Sequence, residues 1–302
     1  MNVFLPADIL IPDVESMEKW SVIACDQFSS QPEYWKDVKE TVGDAPYSFH
    51  LIFPEAELED VDENEKIKTI NGNMQSYLEQ GIFKKYEKSY VYVERTLKNG
   101  SIRRGLIGMI DLEAYDYSEN SSSRIRATEK TVTCRIPPRV RIREYAPVEL
   151  PHVLLLCDDR SDGLMEWLSG KKKEMCKLYN FNLMKEGGHI SGWLVSGKLA
   201  KDFEKQITSY ENISADMPYA VGDGNHSLAT AKVCYENYKK THSDTENANT
   251  PARYAMVELE NIHDKALEFS PIHRIVTETD EEALLEELQK TCCAPEGYPV
   301  QW

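Results

Sequence analysis

No stretch of this sequence approaches the roughly 20 consecutive apolar residues that a membrane-spanning helix requires. The first residues, Met1 to Pro6, have no basic flank, and Asp8 and Asp13 interrupt the apolar character that follows, which argues against a secretory signal peptide. Cysteine is sparse and unorganised. The seven are Cys25, Cys134, Cys157, Cys176, Cys234, Cys292 and Cys293, odd in number and without a C-x-x-C pair. That pattern excludes a disulfide framework or zinc knuckle and suits free thiols in a reducing cytoplasm. Positive charge is also in deficit, with 35 Lys and Arg against 51 Asp and Glu and a net charge of −16. A surface so acidic repels a phosphate backbone, so general nucleic-acid binding is not expected, although a local basic pocket could still hold a small anion or nucleotide. The sequence contains no phosphate loop of the G-x-x-x-x-G-K-[ST] type, no G-x-G-x-x-G, no H-E-x-x-H and no G-x-S-x-G.

What remains is the composition of a globular chain, 41% hydrophobic and 28% charged. Residues 62–81 carry Ile67, Ile70, Met74 and Leu78 at helical spacing and end on Gly81, which predicts a helix. Ser89 to Arg95 alternates as a strand, Asn99-Gly100 marks a tight turn, and Arg103 to Leu112 returns as a second strand. Further on, strands are expected at 152–157, 190–195, 219–222 and 253–259, and helices at 163–179, 198–210, 227–240 and 280–289. Residues 115–123 and 241–251 read as polar loops. Strands alternating with helices point to a mixed α and β fold with crossover connections. A division into residues 1–150 and 151–302 is conceivable, as is one continuous domain.

Four segments could carry chemistry. At 219–231 an apolar strand runs into Asp223-Gly224-Asn225-His226-Ser227 and then into a helix. Backbone N–H groups at a helix start, assisted by the helix dipole, favour an anion there. Gly224 would permit close backbone approach, His226 could donate to an anion or move a proton, and Asp223 could act as base or metal ligand. The plain alternative is a strand-to-helix turn capped by Asp223 or Asn225. Residues 124–143 concentrate Arg124, Arg126, Lys130, Arg135, Arg139, Arg141 and Arg143 against a single acid, Glu129. Arg139, Arg141 and Arg143 alternate with aliphatics, so a strand would present three guanidiniums on one face, suited to phosphate or to ordinary pairing with surface acids. Ser270-Pro271-Ile272-His273-Arg274 sets a histidine beside an arginine, as an anion site or a surface turn would. Cys25 invites a thiol-nucleophile reading without any local signature to support it.

Taken in order, Pro46 to Glu55, Tyr90-Val91-Tyr92, Arg103 to Gly108, Glu129-Lys130-Thr131, Asp223 to Ala231 and Ser270 to Arg274 resemble the motifs of a bacterial and archaeal family known as domain of unknown function 1015. Its strongest motif is in turn remotely similar to those of ParB-like and sulfiredoxin-like proteins, some of which bind nucleotides and some of which phosphorylate a small molecule. Two positions depart from the family pattern: Asn225 stands where it has His, and Ser227 where it has Arg. The resemblance implies an α+β fold with a ParB/sulfiredoxin-like core and an N-terminal region containing the hairpin. It implies a nucleotide- or phosphate-binding protein, a small-molecule phosphotransferase in its catalytic form, using Mg²⁺ and ATP or ADP. Asp223, His226 and Glu129 would be catalytic. Gly224, Asn225, Ser227, Thr230, Arg139, Arg141, His273 and Arg274 would hold the phosphate. Two other classes stay open: a non-catalytic module that responds to a nucleotide, and a metal-dependent hydrolase using Asp223, His226 and His273.

Overall fold

The structure is a computed structural model that describes residues 2–22, 28, 30–44, 46–54, 57, 61–133, 136–150, 153–214, 216–267 and 276–292. In chain order the elements are β1 (Phe4–Leu5), β2 (Ala7–Pro12), α1 (Met17–Trp20), α2 (Pro32–Val42), α3 (Glu63–Glu79), β3 (Phe83–Thr96), β4 (Ile102–Asp111), β5 (Tyr115–Asp116) and β6 (Ile125–Ala127). Then come α4 (Ile136–Arg143), β7 (Leu154–Cys157), α5 (Gly163–Gly170), β8 (Cys176–Asn182), β9 (His189–Val195), α6 (Gly197–Ile213), β10 (Tyr219–Asp223), α7 (Asn225–Lys239), α8 (Asp244–Asn249), β11 (Tyr254–Asn261) and α9 (Glu281–Cys292). Helix α9 belongs to a separate compact unit, residues 268–302, apart from the unit formed by residues 1–267. Among the described residues no helix is long and apolar enough to cross a membrane.

The fold is α+β. Nine strands run in the order β5-β6-β10-β7-β11-β4-β3-β9-β8, with β1 added to β4 and β2 to β3. Strands from both sides of residue 150 interleave in this sheet. Its pairings are mixed: β6 with β10, β7 with β11 and β5 with β6 are parallel, while the rest are antiparallel. One face carries the main core, in which Tyr90, Tyr92, Leu106, Leu155, Val221 and Val257 pack against Leu164, Phe203, Ile207 and Leu228 of α5, α6 and α7. The opposite face has a smaller cluster of Ala7, Ile9, Val91 and Val93, flanked by half-buried Ile107, Met109 and Met256. A third cluster joins α2, α3 and the 48–51 turn through Trp35, Val38, Phe49, Leu51, Ile70 and Met74.

Local chemistry accounts for most boundaries. Asp62 caps α3 by accepting the Glu65 N–H, and Gly81 leaves it with a φ of +67°. The β3–β4 hairpin closes on Leu97 and Ser101, and Gly100 has a φ of +82° at its tip. Three expectations need correction. The helix expected over 163–179 stops at Gly170, and Cys176–Asn182 is an edge strand paired with β9. The polar stretch 241–251 contains α8, nucleated by a capping box between Ser243 and Glu246. Arg139, Arg141 and Arg143 lie on helix α4, not on a strand. Pro137 and Pro138 sit in its first turn, where their missing N–H groups cost nothing and their fixed φ suits a helix.

Two buried carboxylate arrangements hold the sheet. Glu211 on α6 is 3% exposed, and its oxygens accept the Val3 and Phe4 N–H groups, the Tyr219 hydroxyl and the Arg124 guanidinium, each at 3.1 Å. On the other face, Glu258 and Glu260 alternate along β11, opposite Ile107 and Gly105 of β4, within electrostatic reach of Arg95 and Arg103, which pair with each other in the β3–β4 hairpin. Glu260 is 0% exposed and lies 2.8 Å from the Arg103 Nε. Burial, reinforced by the Glu258 charge, pushes the Glu260 carboxyl up to about 8 against the pull of Arg103, and burial also raises Glu258.

Two predictions follow from these groups. Glu211→Ala removes the acceptor shared by the buried Val3 and Phe4 N–H groups and the Tyr219 hydroxyl, so urea denaturation should show a loss of about 3 kcal/mol. Glu260 has a folded pKa above its ordinary carboxylate value. Its favourable contribution is therefore complete below about pH 4.5 and lost as pH rises through about 8. Urea midpoints measured from pH 5 to 9 should fall more steeply for the wild type than for Glu260→Gln; parallel curves would contradict this.

Candidate functional site

The site forms where β10 meets α7. β6 and β10 are parallel neighbours with Ile125 opposite Tyr219 and Ala127 opposite Val221, so their carboxyl ends emerge side by side. Segments leaving adjacent parallel strands in this way are a common location for ligand sites. One end leads into Thr128-Glu129-Lys130 and the other into Asp223-Gly224-Asn225-His226. The two segments are stitched together. The Thr128 hydroxyl donates to the Val221 carbonyl (2.6 Å), the Asn225 Nδ2 donates to the Glu129 Oε1 (3.2 Å), and the Val132 N–H donates to the His226 Nε2 (3.2 Å). Because Nε2 accepts that bond, the neutral His226 ring carries its proton on Nδ1.

Gly224 is the N-cap of α7, with a φ of +82°, and it offers no side chain to the first-turn amides. The exposed Asp223 accepts the Gly224 N–H through Oδ1 at 2.8 Å. Asn225 is 3% exposed, and its Oδ1 has no hydrogen-bond partner among the described residues, as is also true of the buried Thr131 hydroxyl. Leaving such groups unmatched in a dry setting costs on the order of 1–3 kcal/mol each, which a ligand donor could relieve. Beside Glu129, a cleft of about 330 Å³ runs between the 117–121 turn and residues 126–130. Lys130 closes its rim through an ion pair with Glu119 (2.9 Å), while Arg126 is anchored by the carbonyls of Ser123 (2.7 Å) and Asp216 (3.1 Å).

The structure thus brings Asp223, Gly224, Asn225, His226 and Glu129 together. Ser227 follows on the first turn of α7. Thr230 is buried, with its hydroxyl returned to the His226 carbonyl at 2.7 Å. Helix α4 packs against α7, but Arg141 is paired with Glu63, and Arg143 with Glu149 at 2.7 Å. The three-guanidinium face expected of a strand therefore does not form. His273, Arg274 and Cys25 lie outside the described residues. Among the described residues, no group of three or more His, Cys, Asp or Glu is placed to hold a metal ion.

Over residues 9–297 the chain matches the family model described as "Protein of unknown function (DUF1015)". The chain belongs to that family. No curated protein and no solved structure matches it. Both Asp223 to Ala231 and Glu129-Lys130-Thr131, the segments that meet at this corner, fall within the matched span.

Sequence reasoning missed Thr128 and Val132, which act through a hydroxyl and a backbone amide and leave no chemical trace in the sequence. It also missed Glu258 and Glu260, although two carboxylates at alternate positions of an otherwise apolar strand were a visible signal.

The left-handed conformation at Gly224 yields a prediction. Gly224→Ala forces a Cβ into that region and should cost about 1–2 kcal/mol, read as a fall of several degrees in thermal midpoint. An unchanged midpoint would show that the corner does not need this backbone.

Proposed function

We propose that the chain binds a nucleotide or a phosphorylated small molecule at the β10–α7 corner and acts there as a small-molecule phosphotransferase. The observation that carries this reading is the start of α7. A 15-residue helix begins at a glycine that supplies no capping side chain, beside an exposed carboxylate and a buried amide with an unmatched oxygen. Such a helix start attracts anions through its amides and dipole. The remote likeness of the motif to ParB-like and sulfiredoxin-like proteins supports a nucleotide as that anion. In this reading Asp223 is the base or the carboxylate facing the metal, the Asn225–Glu129 pair orients the corner, and His226 holds the 131–132 segment against it. Mg²⁺ bound with the nucleotide would supply charge neutralisation for transfer.

A second reading is a non-catalytic module that responds to the same ligand. It is favoured by Glu129 and His226 each already holding a hydrogen bond at the corner, with the Asn225 amide and the Val132 N–H. Turnover separates the two.

Isothermal titration of the full chain with ATP, ADP and GTP, with and without Mg²⁺, should show saturable binding. Asp223→Ala and His226→Ala should each weaken it about tenfold or more, roughly 1.4 kcal/mol. A wild type that binds none of the three, or variants that bind as the wild type does, would overturn the proposal.

A further inference from the structure

The cleft beside Glu129 has a chemistry of its own. Its volume of about 330 Å³ lies at the lower end of the roughly 300–1,000 Å³ of ligand pockets, which suits a molecule of monosaccharide size and is small for a whole nucleotide. One wall is the end of β6 running into Thr128-Glu129-Lys130, the same segment that is stitched to the start of α7.

Some of the lining groups are satisfied within the protein: the Thr128 hydroxyl by the Val221 carbonyl, and Lys130 and Glu119 by each other. Others keep capacity for a ligand. Arg126 spends Nε and Nη2 on two backbone carbonyls and leaves Nη1, while Glu129 accepts the Asn225 amide on Oε1 and leaves Oε2. Among the described residues the Asn120 side-chain amide and the Tyr117 hydroxyl have no hydrogen-bond partner. Independently of these surface groups, two almost wholly buried atoms adjoin the Glu129 end and lack partners. They are the Oδ1 of Asn225, 3% exposed and joined to Glu129 through its Nδ2, and the hydroxyl of Thr131, 6% exposed. Unmatched groups of this kind are costly, and a ligand that brings donors and acceptors removes the cost.

The class of ligand follows from what is left open. Arg126 and Lys130 are balanced by Glu119 and Glu129, so the lining has no net formal charge and little reason to select an ion. Its free arms are donors and acceptors set side by side, and the neutral group that both donates and accepts at one atom is the hydroxyl. Half-buried Tyr117 adds an aromatic surface on which a carbon skeleton can pack.

We propose that this cleft binds a neutral monosaccharide or cyclic polyol, one hydroxyl of which donates to the Glu129 Oε2, and that this molecule is the phosphoryl acceptor. The acceptor role rests on the phosphotransferase reading above; the binding does not. In the transfer, the hydroxyl oxygen bonds to the terminal phosphorus of ATP, the bond from that phosphorus to the bridging oxygen breaks with its electron pair leaving on ADP, and the hydroxyl proton passes to Glu129. Asp223 is then the carboxylate that faces Mg²⁺.

The test is saturation-transfer NMR of the full chain with D-glucose, D-ribose and myo-inositol, with tetrahydropyran-2-methanol as the control that keeps a sugar-like ring and lacks most of the hydroxyls. At least one of the three should bind saturably and the control should not. Glu129→Gln, which keeps the side-chain shape, and Asn120→Gly, which suits the φ of +62° at that position, should each weaken binding about tenfold or more. Two changes in different segments guard against a folding fault in either one. With ATP–Mg²⁺ added, the wild type should release ADP and form the phosphorylated polyol. No polyol binding, equal binding of the control, or wild-type affinity in both variants would overturn the subsite. Polyol and ATP both bound without product would overturn the acceptor role. Polyol binding without nucleotide binding would sink the nucleotide reading, and the acceptor role with it, and leave the subsite standing; ATP binding without polyol binding would sink the subsite alone.

Discussion

Everything at the candidate site depends on how β10 is held between β6 and β7. It is parallel to one and antiparallel to the other, and its ladder with the antiparallel partner contains the one-residue slip at Gly222. A β-sheet normally segregates its side chains strictly by parity, so a carboxylate two residues beyond Val221 belongs in the helix-covered core. The slip releases Asp223 from that rule, and the left-handed Gly224 then turns the chain straight into α7. Two adjacent backbone irregularities therefore place an acid, a helix start and a buried amide within a few residues. Neither could be supplied by side-chain chemistry.

The site is also braced from a distant part of the sequence. Glu129 and Val132 reach the corner from a strand end roughly a hundred positions earlier, through bonds with |i−j| of 96 and 94. Parallel neighbours can be brought together only through a long crossover, and here that crossover carries α4, α5 and α6. The corner is therefore a product of the whole sheet rather than of a local motif, which explains how a stretch as short as Asp223-Gly224-Asn225-His226 acquires a defined geometry.

Much of this was legible in advance, and the failures have physical causes. The β3–β4 hairpin was readable because Asn99-Gly100 favours one backbone geometry whatever surrounds it. Helix α3 was readable from its cap and its apolar period. The strand-to-helix corner was readable because a glycine-flanked acid between two apolar runs has few other uses. The arginine strip was misjudged because period-two alternation over five residues also fits a short helix, and Pro137-Pro138 favoured the helix. The stretch after Gly170 was misjudged because β8 is an edge strand with an irregular burial pattern, so its sequence lacks alternation. The bulge was invisible. A register slip is decided by the partner strand, and no residue type announces it when the glycine that permits it looks like any turn glycine.

The clamp around Glu211 has a kinetic meaning. The amides of Val3 and Phe4 find their acceptor 208 and 207 residues further along the chain. During synthesis β1 must therefore wait, unsatisfied, until α6 has emerged and folded against the sheet. Contacts of such long range slow the collapse of a domain. They also keep the amides of the first strand waiting until Glu211 is made, when only β10 and β11 among the strands are still to come.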